Sequence, residues 1–413
     1  MKFAIHSLLF TVVVLGLTPL MAQPAGPASV DGSGQIQTLI KQVDDALAAY
    51  LKGQDDQHWE AYYHLNDATL PKVFELAKQN PGSKTSFDAF AWIITNRRLS
   101  VEPLRAYGTE ALALLLKYHT GAPNIGQICR TLGNNWDPAD ASALDFLQLA
   151  AEKNPDRPAR AFATLALGRF LKQRMEDLQM FPLRPSSTNQ WWLEDNARYQ
   201  AERETADVQT LFEQAVKALK TVQSDYADCP DLPPQGAGHP RPPLGDQAAV
   251  DLFELTRLTL GREVPEVSSQ DVEGHDLKLS QFRGKVVLLN FWATWCGPCM
   301  QMVPLERALA ERYKGRPFAL LGVNGDSTQE AAKATMQKEQ MTWPSFWNSD
   351  VPGGNLADNW NIRGWPTFYV LDPNGIIRFK GMAYAGLMTS NQLTQIIDQV
   401  LAETAKSKAE TAP

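Results

Sequence analysis

Apolar residues recur at three- and four-residue spacing through the first half of the chain. The runs IQTLIKQVDDALAAYL, FDAFAWIITN, EALALLLKYH and AFATLALGRFLKQRM show this period between residues 35 and 228. Such a period places the apolar side chains on one face of a helix. Breaks rich in Pro and Gly begin near Gln79, His119 and Glu152, about 33 to 40 residues apart. We therefore predict an all-helical domain over 35–228, either stacked helical hairpins or an irregular bundle.

Proline and glycine dominate the segment that follows this helical half. The stretch CPDLPPQGAGHPRPPLGD contains six prolines and three glycines and has few apolar side chains to bury. A composition of this kind is typical of a semi-rigid connection between domains. We expect a linker over 229–248.

The hydrophobic period changes after Gly261. The runs KVVLLNFW, FALLGVNG, PTFYVLD and IIRFKG are strand-like, whereas MVPLERALAERYKG, STQEAAKATMQKEQ and SNQLTQIIDQVLAE have the helical period. Alternating strands and helices that end in a hairpin and a helix predict an α/β sandwich around a mixed sheet. The expected fold class is thus all-α followed by α/β, with the second domain at 249–405 and a disordered tail at 406–413.

The overall charge narrows the range of partners. The 413-residue chain carries a net charge of -7 at pH 7. An acidic protein offers no attractive field to nucleic acid or to an anionic membrane surface. We therefore expect proteins or small molecules as partners, and no nucleic acid.

The first residues have the pattern of an export signal. A lysine at position 2 precedes the apolar stretch Leu8 to Leu17; Leu20 and Met21 follow, and the small residue Ala22 marks the expected cleavage point. This arrangement is shorter than a typical membrane span and favours a cleaved signal peptide at 1–22. The alternative is an uncleaved anchor. In both cases the folded protein is expected outside the cytoplasm, in the periplasm, where disulfides persist.

The candidate chemistry lies in NFWATWCGPCMQMVP, residues 290–304. Cys296 follows a buried-looking strand and stands at the start of a predicted helix, with Pro298 in the first turn. Unpaired backbone N–H groups and the helix dipole favour a thiolate at this position. We expect Cys296 to be the exposed nucleophile and Cys299 the resolving thiol of a disulfide exchange.

Other uses of the pair are less well supported. A zinc site needs further ligands, but the other cysteines, Cys129 and Cys229, are distant in sequence. Haem attachment requires a histidine after the second cysteine, where Met300 stands. An inert structural disulfide stays open, although so short a loop gains little closure stability.

The motif WATWCGPC, together with GKVVLLNFW before it and GWPTFYVLDPNGIIRFKG after it, resembles the thioredoxin superfamily. It is most similar to the exported TlpA-like and ResA-like thiol-disulfide oxidoreductases over about residues 262–405. The resemblance implies a thioredoxin fold, no cofactor beyond the redox-active Cys296–Cys299 disulfide, and a cis Trp365–Pro366 bond. It also implies a reducing couple, because Gly297 and Pro298 form the thioredoxin dipeptide.

The expected partners follow from this resemblance. Clients would be proteins with disulfides or dithiols, contacted through the surface formed by Trp295, Gly297, Pro298, Trp365 and Pro366. Trp292 is expected only to pack. A membrane electron donor would keep the dithiol reduced, and the helical domain would dock another protein.

The sequence departs from the family pattern at two positions. Asn290 stands where thioredoxins place a buried Asp, and Met302 where many TlpA-like proteins place a Glu. Neither residue can accept the proton of the resolving thiol. Glu306, seven residues after Cys299, is a weaker candidate for that role, and we expect it to be a solvated surface charge.

Cys129 and Cys229 remain after the motif is assigned. Two leftover cysteines in an exported protein could form a structural disulfide that ties the linker to the helical domain. Alternatively Cys129 is a free, buried thiol. The sequence leaves both readings open.

Two other functions compete with the oxidoreductase. The α/β half could be a non-catalytic binding module, or the protein could be a peroxiredoxin-type peroxidase. The peroxidase is less favoured because its nucleophile would not need a second cysteine two residues away. The sequence alone sets neither the direction of electron flow nor the client.

Overall fold

The computed structural model describes most of the chain. The described residues are 32–53, 55–96, 104–137, 140–180, 200–232, 241–348, 354–382 and 390–411. The signal segment predicted at 1–22 lies outside them, so it stays a prediction. None of the helices within these ranges is both long enough and apolar enough to span a membrane.

The helical half is built as the apolar period predicts. Its helices are α1 (Ser33–Gly53), α2 (Asp56–Lys78), α3 (Lys84–Ile94), α4 (Leu104–Tyr118), α5 (Gly126–Asn135), α6 (Ala141–Lys153), α7 (Arg157–Met180), α8 (Val208–Asp225) and α9 (Leu244–Arg257). Asp55, Ser83, Asp140 and Asp207 accept hydrogen bonds from the first turns of α2, α3, α6 and α8. These caps satisfy amides that would otherwise lack partners, and so fix where each helix begins.

The core of the helical half gathers around α7. This helix packs against α5, α6 and α8, and most of its length is buried. Small residues allow close approach: a Cβ at Gly133 of α5 would lie 2.8 Å from the Cα of Ala166. The tight contact explains why α7 has apolar or small residues on several faces instead of one.

The second half is an α/β domain with five strands in its main sheet. A small hairpin, β1 (Ser268–Gln270) and β2 (Asp276–Lys278), precedes it and is followed by the 3-10 helix Leu279–Phe282. The other strands are β3 (Val286–Trp292), β4 (Phe318–Asn324), β5 (Ser345–Trp347), β6 (Thr367–Leu371) and β7 (Ile377–Met382). The helices are α10 (Gly297–Arg312), α11 (Gln329–Lys338), α12 (Leu356–Asn359) and α13 (Ser390–Thr411).

The sheet is mixed, as the sequence predicts. Its strand order is β5-β4-β3-β6-β7; β3, β4 and β5 run parallel, and β6 and β7 are antiparallel to their neighbours. The central strand β3 is buried along its whole length. Its alternate residues face two separate apolar clusters, with Val286, Leu288 and Trp292 on the side of α10 and α13. The cysteine motif directly follows β3, so it begins at the centre of the sheet, on the side of α10 and α13.

Two predicted boundaries differ from the structure. Helix α9 begins at Leu244, inside the predicted linker, and Leu244, Ala248 and Leu255 are buried in the helical core. The boundary predicted at 248/249 therefore cuts a helix that belongs with the first half. The predicted tail is also too long, because α13 continues to Thr411.

Candidate active site

Cys296 and Cys299 are joined by a disulfide at the start of α10. Cys296 is the N-cap residue, and its sulfur accepts a hydrogen bond from the backbone N–H of Cys299 at 3.1 Å. Pro298 lies in the first helical turn, where its missing N–H leaves no partner unsatisfied. Negative charge on the Cys296 sulfur would thus be stabilised by an amide donor and by the helix N-terminus.

The two sulfur-bearing residues differ little in accessibility. Cys296 is 5% exposed and Cys299 is 1% exposed. Cys296 is the outer residue, as expected, but in the disulfide form it is not the exposed group that the sequence analysis predicted. Gly297 and Pro298 beside it are exposed. A client would reach the disulfide across this dipeptide.

The turn before Cys296 is anchored by a buried carboxylate. Thr294 donates its backbone N–H to Asp326 Oδ1 at 3.0 Å and its hydroxyl to the same oxygen at 2.7 Å. Asn324 donates to Asp326 Oδ2 at 2.8 Å. Asp326 follows β4, the parallel neighbour of β3, so adjacent strand ends fix the position of the motif. The sequence analysis missed this anchor, although Asp326 directly follows a predicted strand.

Two tryptophans flank the disulfide. Trp295 is 63% exposed, and its ring meets that of Trp365 edge to face, with centroids 5.7 Å apart. The Trp365–Pro366 peptide bond is cis, and Pro366 itself is buried. Trp365 packs so closely on Gly325 that a Cβ there would overlap its indole. The structure thus brings the Trp365–Pro366 segment to the surface that carries Trp295.

Trp292 packs in the core, as predicted. It is 1% exposed, and its indole N–H donates to the hydroxyl of Ser345 at 3.0 Å. Buried indoles usually need such an acceptor. Trp292 therefore packs in the core behind the site, and its buried ring is not available to contact a client.

The prediction that Glu306 is a solvated surface charge is wrong. Glu306 is fully buried on the face of α10 that also carries Cys299 and Val303. It accepts a hydrogen bond from the side-chain amide of Asn290 on β3. Burial raises the pKa of Glu306 to about 8, so the group is mostly protonated at neutral pH.

Cys129 and Cys229 are not bonded to each other in the structure. Both are free and buried against the helical core. Cys129 lies on α5, and burial raises the pKa of its thiol. The Cys229 sulfur instead contacts Arg157 Nη1 at 3.2 Å. The structural disulfide that the sequence allowed is therefore not formed, and the buried free thiol describes Cys129.

Comparison with known proteins decides the family. The sequence profile of the AhpC/TSA family matches residues 260–380. The thioredoxin-like protein YneN of Bacillus subtilis is 33% identical over 141 residues, which are 33% of this chain and 78% of YneN. The chain belongs to the thioredoxin-like family. The membership rests on its C-terminal third, the thioredoxin-like domain.

Other relatives point the same way. The thiol-disulfide oxidoreductase ResA of Bacillus cereus is 27% identical over 144 residues, covering 35% of this chain and 80% of ResA. A solved thiol-disulfide oxidoreductase from Bacteroides fragilis is 27% identical, with a TM-score of 0.30, and covers 34% of this chain and 99% of that one. The sequence identity to ResA makes the thioredoxin-like domain homologous to thiol-disulfide oxidoreductases.

Proposed function

We propose that this protein reduces disulfides of client proteins outside the cytoplasm. The observation that carries the proposal is the Cys296–Cys299 bond at the head of α10, where the Cys296 sulfur already accepts an amide hydrogen bond. The same contact would stabilise the thiolate once the bond is reduced. Homology to thiol-disulfide oxidoreductases supports the reaction class.

The reaction begins with the dithiol form. The Cys296 thiolate attacks one sulfur of the client disulfide, forming a mixed disulfide and releasing the other client sulfur as a thiolate. Cys299 then loses its proton and attacks the Cys296 sulfur, which breaks the mixed disulfide. Two electrons pass to the client, whose two thiolates take up the proton lost by Cys299 and one proton from solvent; the client leaves as a dithiol, and the Cys296–Cys299 disulfide forms.

The surface around the motif supports a polypeptide client. Trp295, Gly297 and Trp365 form an accessible rim beside the disulfide, and a Cβ at Gly297 would meet nothing within 4 Å. An extended chain could lie in this open space and pair with the backbone next to Trp365. The two adjoining aromatic rings would bury apolar side chains that flank the client cysteine.

Family resemblance supports the reducing direction, and the N-terminal sequence supports the location. Gly297 and Pro298 form the same dipeptide as in thioredoxin, a resemblance that favours a reducing couple, and residues 1–22 have the pattern of an export signal. A dithiol in an oxidising compartment needs a membrane electron donor to regenerate it. Fusion of residues 1–30 to a reporter that folds only outside the cytoplasm tests the location; a fusion that is produced but stays inactive would refute it.

Reduction of insulin by dithiothreitol tests the activity directly. Wild type should accelerate the reaction and Cys296→Ser should not; equal rates would rule out the thiol-disulfide oxidoreductase. The reduction potential of the Cys296–Cys299 couple then tests the direction. A value near ~-270 mV fits a reductase, and one near ~-120 mV would identify an oxidant.

A further inference from the structure

A cluster of charged side chains lies between the helical half and the thioredoxin-like domain. We call it the interdomain charge cluster; it consists of Arg169, Lys172 and Glu176 on α7, Asp251 and Glu254 on α9, and Asn361, Arg363 and Lys380 in the thioredoxin-like domain. The side chains of Asp251 and Glu254 are only 1% and 5% exposed. Buried carboxylates are tolerated only when they are paired, so these contacts decide how the two halves fit.

Asp251 is shared between the two halves. Its Oδ2 accepts from Arg169 Nε at 2.5 Å within the helical half. Its Oδ1 accepts from Arg363 Nη2 and, at 3.0 Å, from Asn361 Nδ2 in the thioredoxin-like domain. Moving the Asn361–Arg363 segment away would remove two of these three donors from a buried carboxylate, which is costly.

Glu254 makes the same kind of bridge one helical turn later. It pairs with Lys172 at 3.0 Å in the helical half and with Lys380 on β7. Burial alone would raise the pKa of Glu254, but the two ammonium groups outweigh this and hold its pKa below the usual value. Asn361 Nδ2 donates to Glu254 Oε2 at 2.6 Å. Asp251 and Glu254 therefore both accept a hydrogen bond from the side-chain amide of Asn361.

Asn361 has an unusual backbone conformation. Its φ is 55, in the left-handed region that costs energy for residues other than glycine. Two residues later, Arg363 also donates to Asn134 Oδ1 on α5 at 3.0 Å. The short segment from Asn361 to Arg363 is thus held by side chains of α5 and α9, both in the helical half.

This segment leads directly into the client-facing surface. Gly364 and Trp365 follow Arg363, and the carbonyl of Gly364 accepts from the Thr367 hydroxyl at 2.7 Å. Trp365 then meets Trp295 and packs on Gly325. A continuous series of short contacts therefore connects Asp251 with the surface beside the disulfide.

We propose that Asp251 and Glu254 are positioning residues, through which the helical half holds the Trp365–Pro366 loop in the geometry that receives a client polypeptide. The inference rests on the proposed function and deepens it. The helical half then acts on client binding by fixing this loop. Reduction of a small disulfide that does not contact the loop is independent of the interdomain charge cluster.

Full-length Arg363→Gln and Asp251→Asn variants test the inference. Hydrogen exchange of the peptide spanning 361–368 should become faster by roughly tenfold in both, because local opening costs less. The KM for insulin should rise by about tenfold, whereas kcat, the rate with oxidised glutathione and the Cys296–Cys299 potential stay within about twofold. Asp398→Asn is the matched control, since it weakens partly exposed contacts to Arg312, Arg316 and the Tyr313 hydroxyl elsewhere in the same domain.

The outcomes separate the two proposals. Unchanged exchange and an unchanged insulin KM in Arg363→Gln would overturn the inference even if wild type is active. A wild type that reduces no disulfide would overturn the proposed function, while the exchange measurement still reports on the loop. Arg363 is partly exposed, so if Asp251→Asn fails to fold, the Arg363→Gln result alone decides.

Discussion

The side-chain amide of Asn290 donates a hydrogen bond to Glu306 inside the thioredoxin-like domain. The two residues lie on the central strand and on the helix that begins at the disulfide, and neither is accessible to solvent. Among the residues that the structure describes, no basic group favours the ionised form of Glu306, and burial raises its pKa to about 8. The domain therefore keeps a neutral carboxylic acid in its core, on the helix of the cysteine motif.

This buried acid predicts a pH dependence of stability. The folded pKa of Glu306, about 8, lies above the reference value of 4.5, so wild type loses stability as pH rises from 4.5 through about 8. Glu306→Gln lacks this loss and should be more stable than wild type above about pH 8, by on the order of 3 kcal/mol. Urea unfolding of the disulfide form at several pH values measures the difference.

An exposed residue of the same helix provides the control. Glu311 is solvent-accessible and forms an exposed ion pair with Lys314, so Glu311→Gln should follow the wild-type pH profile. If the free energies of unfolding of wild type and Glu306→Gln changed with pH in parallel, Glu306 would titrate as an ordinary carboxylate.

The order of sulfur attack predicts what Cys299→Ser accumulates. Without the resolving thiol, the mixed disulfide between Cys296 and a client is not displaced, and turnover of insulin should fall at least about tenfold. Non-reducing gel electrophoresis should show the covalent adduct, which dithiothreitol releases. Cys296→Ser should form none. An adduct through Cys299 in that variant would reverse the roles assigned to the two cysteines.

The close packing of Gly325 on Trp365 predicts an effect on client binding. Gly325→Ala places a methyl group where the indole lies, so Trp365 must shift. A displacement of the Trp365 ring by about 1 Å, on the surface that would receive the client, should raise the KM for insulin by roughly tenfold. Gly34→Ala is the control, because an added Cβ there meets nothing within 4 Å. An unchanged KM in Gly325→Ala would show that Trp365 does not contact the client.

The state of the other two cysteines predicts a thiol count. Both are free, so the Cys296→Ser/Cys299→Ser protein, unfolded without reductant, should take up two alkyl groups. Folded protein should react slowly, since Cys129 is fully buried and its thiol pKa is raised. Intact-protein mass measures both states. No uptake after unfolding would show that Cys129 and Cys229 are bonded.

The sequence predicted the elements of the fold well because their patterns are local. Helical periods and short apolar runs gave the helices of the first half and the strands around the motif. The linker boundaries were predicted wrongly because a proline-rich composition does not reveal which residues pack into the helical core. Leu244 and Cys229 look unremarkable in a proline-rich stretch, yet both are buried in the helical core.

The site was predictable to the extent that its chemistry lies in one short motif. Cys296, Cys299 and Trp295 are consecutive or nearly so, and the Trp365–Pro366 segment came from family resemblance. Glu306 was misplaced because charged residues are usually exposed. Its spacing from Cys299 and Val303 does place it on the buried stripe of the helix, and that periodicity was the available signal. Asp251 was missed because its partners come from two distant parts of the chain, Arg169 and the segment Asn361–Arg363.

The interdomain charge cluster also limits how this protein can be recombined. A thioredoxin-like domain grafted from a relative would have to bring cations to the places of Arg363 and Lys380. Otherwise the two buried carboxylates of α9 would lose the cations across the joint and keep those of the helical half, Arg169 and Lys172. A charge change on one side of the joint therefore requires a matching change on the other, and the two halves cannot be exchanged independently.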